Sequence, residues 1–208
     1  YNHGQVKVFQ LVNDEWVQIG NTINGLNNGF FGSSVSINSD GNMIAVGAPF
    51  ADFNNSTDIG YVQVFINENG SWNQLGNNIN GQQSFEKFGH SVSLDKSGHR
   101  LAISSTGTNK ITIYDWDETT WSAYTISTNF ETGGLLGFQM DLTPDGNTIV
   151  VSGKDDPNRF ALVYSFDGVE WSQKGGETTP LQPYVGMYDF GGIIYNIDDQ
   201  NLYVLNIH

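Results

Sequence analysis

Four tryptophans recur along this chain, Trp16, Trp72, Trp121 and Trp171, and their spacing limits what it can fold into. The interval is about fifty residues, the range of repeat architectures in which copies of one unit stack. A second marker recurs out of phase with the first: Phe31-Gly32, Phe88-Gly89, Leu136-Gly137 and Phe190-Gly191. A unit of this length cannot bury its apolar face alone, so each copy must cover its neighbour.

Within a unit the pattern is that of strands. Gly4-Gln5-Val6-Lys7-Val8-Phe9 alternates with period two, and Trp16-Val17-Gln18-Ile19-Gly20 returns after the turn cluster Asn13-Asp14-Glu15. Gly60 to Phe65, Lys110 to Tyr114 and Ala161 to Tyr164 repeat the first of these, each leading to its tryptophan. A second hairpin follows: Ser34-Val35-Ser36-Ile37, the tight-turn pair Asp40-Gly41, then Met43 to Pro49. Ser97-Gly98 and Asp145-Gly146 mark the corresponding turns, and Asp198-Asp199-Gln200 the last. No helical periodicity of useful length occurs. Four strands per repeat describe a propeller blade. The sequence therefore predicts an all-β propeller of four four-stranded antiparallel blades, one domain over 1–208, with units at about 1–59, 60–109, 110–160 and 161–208. The phase adds an expectation. The chain opens on the outer two strands of a blade and ends on the inner two. Residues 202–205 should then pair beside 4–9 and close the ring, with Tyr1 and His208 on the same rim.

The runs Phe31-Gly32-Ser33-Ser34-Val35-Ser36, Asp40-Gly41, Ala45-Val46-Gly47-Ala48-Pro49, Gly60-Tyr61-Val62-Gln63-Val64-Phe65 and Trp72-Asn73-Gln74-Leu75-Gly76 resemble the FG-GAP repeat family. That family includes the integrin α-subunit propeller and many secreted bacterial surface proteins. The match is closest over 31–76 and decays along the chain: Ile103-Ser104-Ser105 replaces the Gly-Ala-Pro run, and Leu136 replaces Phe. The resemblance implies a secreted or surface-displayed binding or adhesion module. Calcium-binding members carry an Asp-x-Asp-x-Asp-Gly-like loop. Here the loops are the short turns Asn38-Ser39-Asp40-Gly41, Asp95-Lys96-Ser97-Gly98, Thr143-Pro144-Asp145-Gly146 and Asp198-Asp199-Gln200-Asn201. Calcium takes six to eight oxygens, so the family's calcium function is not carried over, and no metal or cofactor is expected.

Composition narrows the partners. Eight Lys and Arg stand against 22 Asp and Glu, a formal charge of −14. That field repels phosphate backbones, so neither nucleic acid nor an anionic membrane is expected as a partner. No apolar run reaches the length needed to span a bilayer, so membrane insertion is not expected either. There is no cysteine, hence no disulfide framework and no thiolate chemistry. The chain starts at Tyr1 with neither an initiator Met nor a signal peptide, and is expected to be a piece of a larger chain or assembly.

Residues repeated at one strand position in every blade are usually packing, and the four tryptophans are read so rather than as sugar platforms. Trp116 has no counterpart in the other units. Binding is expected in the irregular rim loops, at 50–59, 105–109 and 154–159 and at 21–30, 77–86, 127–135 and 177–189. Two of these concentrate polar oxygens: Asp52, Asn54, Asn55 and Asp58 in one, Asp155, Asp156 and Asn158 in the other. They could hold a polyhydroxylated ligand or a cation, though solvated Asx-rich turns have the same composition. His3, His90, His99 and His208 are scattered without metal-type spacing, and His90 after Phe88-Gly89 falls nearest the axis. No nucleophile, base and orienting group assemble, so no catalytic residue is assigned. The predicted function is recognition of a protein or glycan through rim loops. The alternatives are a carbohydrate-active propeller enzyme, marked by a carboxylate pair at the channel mouth, and a structural or capping domain of a surface assembly.

The turns give the first test. Calorimetric titration should show no calcium binding at micromolar affinity. Micromolar binding abolished by Asp40→Ala or Asp145→Ala would overturn the reading of these turns.

Overall fold

The computed structural model describes residues 3–26, 29–53, 55–126, 135–155, 158–178, 192–198 and 201–206. They form a β-propeller, strand after strand in antiparallel order. Strands β1 (Gln5–Val12) and β2 (Glu15–Asn24) make a two-stranded outer half-blade. The first full blade follows as β3 (Ser34–Ile37), β4 (Met43–Ala48), β5 (Tyr61–Glu68) and β6 (Ser71–Gln74), with the two-residue β7 (Ile79–Asn80) also on β5. The second is β8 (Phe88–Leu94), β9 (Arg100–Ser105), β10 (Lys110–Trp116) and β11 (Trp121–Ile126). The third is β12 (Leu135–Leu142), β13 (Thr148–Asp155), β14 (Asn158–Phe166) and β15 (Trp171–Thr178). An inner half-blade, β16 (Gly192–Asp198) and β17 (Asn201–Asn206), lies beside β12. Among the described residues there is no helix, and so none long and apolar enough to cross a membrane.

The core is a series of seams between consecutive blades. In β4 every residue is buried. Ile44, Val46 and Ala48 face back into a cluster with Val8, Ile23, Phe31, Tyr61, Phe65 and Trp72. Met43 and Ala45 face forward into the next, with Val62, Val64, Phe88, Val92, Leu101 and Ile103. A strand covered on both faces must be apolar on both, and β4 reads as the continuous run Met43-Ile44-Ala45-Val46-Gly47-Ala48. The third seam joins Ile111, Ile113 and Ile126 to Leu136, Met140, Ile149, Val151 and Leu162.

The Phe-Gly marker has a steric cause. Phe31, Phe88 and Leu136 fill the seams, and the glycine after each takes a left-handed backbone, with φ of 92°, 85° and 79° at Gly32, Gly89 and Gly137. At Gly89 a Cβ would lie 2.8 Å from the Val62 side chain and 2.9 Å from the Tyr61 carbonyl oxygen. At Gly47 it would meet the Gly89 carbonyl oxygen at 2.2 Å. Two strands from adjacent blades thus touch backbone to backbone, which only glycine permits.

One rim is sewn by the short turns. Asn38 Oδ1 accepts the amides of Asn42 (3.0 Å) and Met43 (2.9 Å). Asp95 Oδ1 accepts Arg100 N at 3.0 Å and Asp95 Oδ2 accepts the Ser97 hydroxyl at 2.6 Å. Thr143 Oγ1 accepts Thr148 N at 3.0 Å. The turns also bond to each other: Ser39 N donates to Lys96 O at 3.2 Å, and Lys96 N to Pro144 O at 3.1 Å. Their polar side chains hold the turns and the next blade in place.

Two expectations need correction. The half-blades do not merge: β1–β2 and β16–β17 are separate two-stranded sheets, and β17 is not hydrogen-bonded to β1. Tyr1 and His208 lie outside the described residues. Nor do the four tryptophans share one environment. Trp72 is 4% exposed, with its Nε1 donating to Ile19 O of the preceding half-blade at 3.0 Å. Trp121 and Trp171 are half-buried, and Trp16 is 70% exposed. Trp72, Trp121 and Trp171 each seat on the blade before their own, and Trp16 belongs to none of these seams. Trp116 is a packing residue, its ring centroid 5.2 Å from that of Trp121 and its edge against Gly76. Trp72→Ala should therefore cost about 3–5 kcal/mol in denaturant melts. Trp16→Ala should cost less than about 0.5 kcal/mol, as for an exposed position.

Candidate functional site

The other rim carries the longer connections, which are knitted together by main-chain bonds. Phe50 N donates to Gly29 O at 3.3 Å, Phe85 N to Thr57 O at 2.7 Å and Lys87 N to Asp58 O at 2.9 Å. Gly107 N donates to Glu86 O at 3.0 Å. The loop entering β8 is thereby clamped between the β4–β5 and β9–β10 connections. Its pin is Glu86, 8% exposed. Glu86 Oε2 accepts the amides of Gln82 (2.6 Å) and Gln83 (3.2 Å), and Oε1 accepts the Ser105 hydroxyl at 3.1 Å. A buried carboxylate satisfied by three donors fixes the residues beside it.

Those residues point outward. Phe85 is 61% exposed and Phe30, at the corresponding loop into β3, is 52% exposed. Both hold a left-handed backbone, φ 62° and 54°, as does Lys87 at 54°. That region is uncommon for bulky side chains. Phe30 meets the half-buried Phe50 edge-on with ring centroids 5.6 Å apart, and Lys87 Nζ stands 5.6 Å over the same Phe50 ring. Phe30, Phe50 and Lys87 thus stand together, with Phe85 exposed on the loop that carries Lys87. Behind it, Tyr114 is pushed up to about 12 by burial and the Glu86 carboxylate. His90 in β8 lies 5.0 Å from the Phe138 ring, with its Nδ1 buried and without a hydrogen-bond partner among the described residues.

The polar residues singled out from the sequence do not form one site. Asp52, Asn55 and Asp58 share the β4–β5 loop, where Asp52 Oδ1 accepts Asp58 N at 2.8 Å and Asn55 and Asp58 take φ of 63° and 49°. Asp155 and Asn158 are paired in register at the β13–β14 hairpin end, two blades away. Asn54 and Asp156 lie outside the described residues. The aromatic platform escaped the sequence reading, although Phe30 doubles the Phe31 of its motif and Phe85 stands three residues before Phe88.

A groove of about 320 Å³ opens on the turn rim, lined by Asp95, His99, Arg100, Asp115, Trp116, Asp145 and Asn147. Its acids have structural work. Asp115 forms a two-point ion pair with Arg100, Oδ1 at 2.6 Å from Nε and Oδ2 at 2.8 Å from Nη2. Arg100 also reaches the Gly146 carbonyl oxygen at 3.1 Å and lies 4.8 Å over the Phe166 ring, so it staples the second full blade to the third. Asp95 and Asp145 cap their own turns.

Comparison with known proteins places the repeat. Residues 23–65 match the FG-GAP repeat family, so this segment is an FG-GAP repeat. No curated protein matches the chain in sequence. Among solved structures, a protein of unknown function from Desulfotomaculum acetoxidans superposes at TM-score 0.64 with 13% identity, over 98% of this chain and 56% of that one. A Bacteroides uniformis protein, provisionally described as a 6-phosphogluconolactonase, gives TM-score 0.59 and 15% identity over 92% of this chain and 55% of that one. A chain of a nidogen–laminin complex gives TM-score 0.51 and 8% identity over 83% and 58%. The chain thus spans about half the length of these structures, and the likeness is one of fold.

Burial, aided by the Lys87 charge, holds the His90 imidazole below its ordinary value. Below about pH 6.5 the unfolded chain then binds more protons than the folded one, so stability falls as pH drops from there through the folded value. Thermal melts between pH 7.5 and 5 should show this fall, and His90→Phe should flatten it. A parallel slope in the variant would remove His90 as its source.

Proposed function

We propose that this FG-GAP-repeat propeller is a protein-binding module, displayed on a cell surface or secreted, that takes its partner on the rim of Phe30, Phe50, Phe85 and Lys87. The observation that carries this reading is the pair of solvent-facing phenylalanines in left-handed backbone. Backbone strain at an exposed aromatic costs stability, and such strain clusters where a chain makes contact with something else. Aromatic residues ringed by polar ones are the usual composition of a protein interface. Asp52, Asn55 and Asp58, in the β4–β5 loop, are read as the polar fringe of this surface, and Asn54, Asp155, Asp156 and Asn158 remain candidates from the sequence. A protein is favoured over a glycan because phenylalanine offers no hydrogen-bond donor and Asp52 Oδ1 already holds its own loop. Catalysis is not proposed, since the acids of the turn-rim groove bind their own turns and Arg100.

The test separates function from folding. Asparagine tolerates left-handed backbone far better than phenylalanine. Phe30→Asn combined with Phe85→Asn should leave the melting temperature unchanged or raised. In pull-downs from intact cell-surface fractions, the same variant should lose at least tenfold of its binding to captured proteins. A variant that binds as well as the parent, or a parent that binds only spots of a glycan array, overturns the proposal.

A further inference from the structure

Among the described residues Arg100 is a paired cation and Lys87 is not. Arg100 and Asp115 make the one ion pair those residues contain. Lys87 instead stands half-buried over the Phe50 ring, its Nζ 5.6 Å from the centroid, with Phe30 edge-on to the same ring at 5.6 Å. Its main chain is held, N donating to Asp58 O at 2.9 Å in a left-handed backbone of φ 54°. The neighbouring acids have other work. Glu86 accepts the Gln82 and Gln83 amides and the Ser105 hydroxyl, and Asp52 accepts the Asp58 amide. An aromatic face attracts an ammonium without neutralising it, and partial burial removes some of its water. The charge is felt inside the fold: burial first, and Lys87 second, hold the His90 imidazole below its ordinary value.

Of the acids behind the net charge of −14, a large group stands on the opposite rim. Glu68, Asp117, Glu118, Asp167 and Glu170 lie at the β5–β6, β10–β11 and β14–β15 turns. Main-chain bonds of 2.8 Å tie those turns to the short hairpins of the turn rim, Asn67 N to Asn42 O, Trp116 N to His99 O and Phe166 N to Asn147 O. A strand the length of β4 sets the two rims roughly 20 Å apart. That is more than twice the Debye length of about 8 Å at physiological salt. At Lys87 the far acids are therefore screened, and a charge brought into contact is not.

We propose, resting on the reading of this rim as a protein-binding surface, that the partner brings an aspartate or glutamate side chain to Lys87 and an apolar side chain of the same segment to Phe30 and Phe50. The carboxylate supplies the counter-charge that the fold leaves out. The ion pair forms beside rings that exclude water, where it is stronger than in open solvent. The apolar side chain covers Phe30, which is 52% exposed. Lys87 thereby selects among apolar segments. A lysine or arginine at the same place is repelled and left unpaired, and a glutamine accepts a hydrogen bond but forgoes the charge.

Selection of a displayed random peptide library on the intact chain tests this without a known partner. Enriched peptides should share an apolar residue and an aspartate or glutamate within a few positions of it. Replacing that acid by its amide in a synthetic copy should weaken binding about tenfold, and raised salt should narrow the difference. Lys87→Met should bind the acid and amide peptides alike, and Lys87→Glu should select peptides with lysine or arginine instead. Enriched peptides with no shared acid overturn the carboxylate assignment and leave the protein-binding rim standing. So does an acid peptide that Lys87→Met binds as tightly as the parent does. Peptides that bind the Phe30→Asn, Phe85→Asn double variant undiminished sink the rim reading, and the carboxylate with it. A library that yields nothing above background overturns both.

Discussion

The contact of Gly47 with Gly89 sets the distance between neighbouring sheets. A Cβ at Gly47 would fall 2.2 Å from a carbonyl oxygen, so the two backbones touch and the side chains around them must fit a fixed gap. Into that gap go residues from both sides: Val46 and Ala48 into one seam, Met43 and Ala45 into the next. Phe31 and Phe88 fill the wider space beside each left-handed glycine. The motif letters of the repeat are thus a single geometric requirement, close approach at glycine with bulk beside it.

The strands were legible because alternation and turn residues are local, and the repeat multiplied each weak signal. What escaped the sequence reading depends on neighbours. Trp16 and Trp72 have the same surroundings in sequence, Trp-x-Gln-x-Gly, yet one is exposed and the other buried. Whether a tryptophan is covered is decided by the blade before it, which no window around the residue contains. Ring closure was read from the phase of the half-blades, whereas β1–β2 and β16–β17 stand as separate two-stranded sheets. At the rim, clustered oxygens drew attention to Asp52 and Asp58, whereas Asp52 Oδ1 caps its own loop at Asp58 N. Phe30 and Phe85 stand out only once their backbone angles are known.

The two ends of the scaffold differ in kind. On the turn rim, Asn38, Asp95 and Thr143 close short hairpins, main-chain bonds run from turn to turn, and Arg100, held by its ion pair with Asp115, ties its blade to the next through the Gly146 carbonyl and the Phe166 ring. On the other rim a buried glutamate anchors a loop and leaves aromatics facing water. A rigid end and a presenting end are what a recognition scaffold needs, because rigidity lowers the ordering cost of binding.

Because each seam has only two sides, it is also the unit in which such a sequence can drift. Gly47 opposes Gly89 in one seam, and in the next Ser104 opposes Gly137, its Cβ 2.6 Å from where a Cβ on that glycine would be. One glycine was enough to keep the approach once the other had changed, and the serine hydroxyl found a use, accepting Ser91 N at 3.0 Å. A substitution in one blade asks for an answer from one neighbour and from nothing beyond it. That locality lets Ser104-Ser105-Thr106 stand where Gly47-Ala48-Pro49 stands a blade earlier, while the strands on either side keep their register.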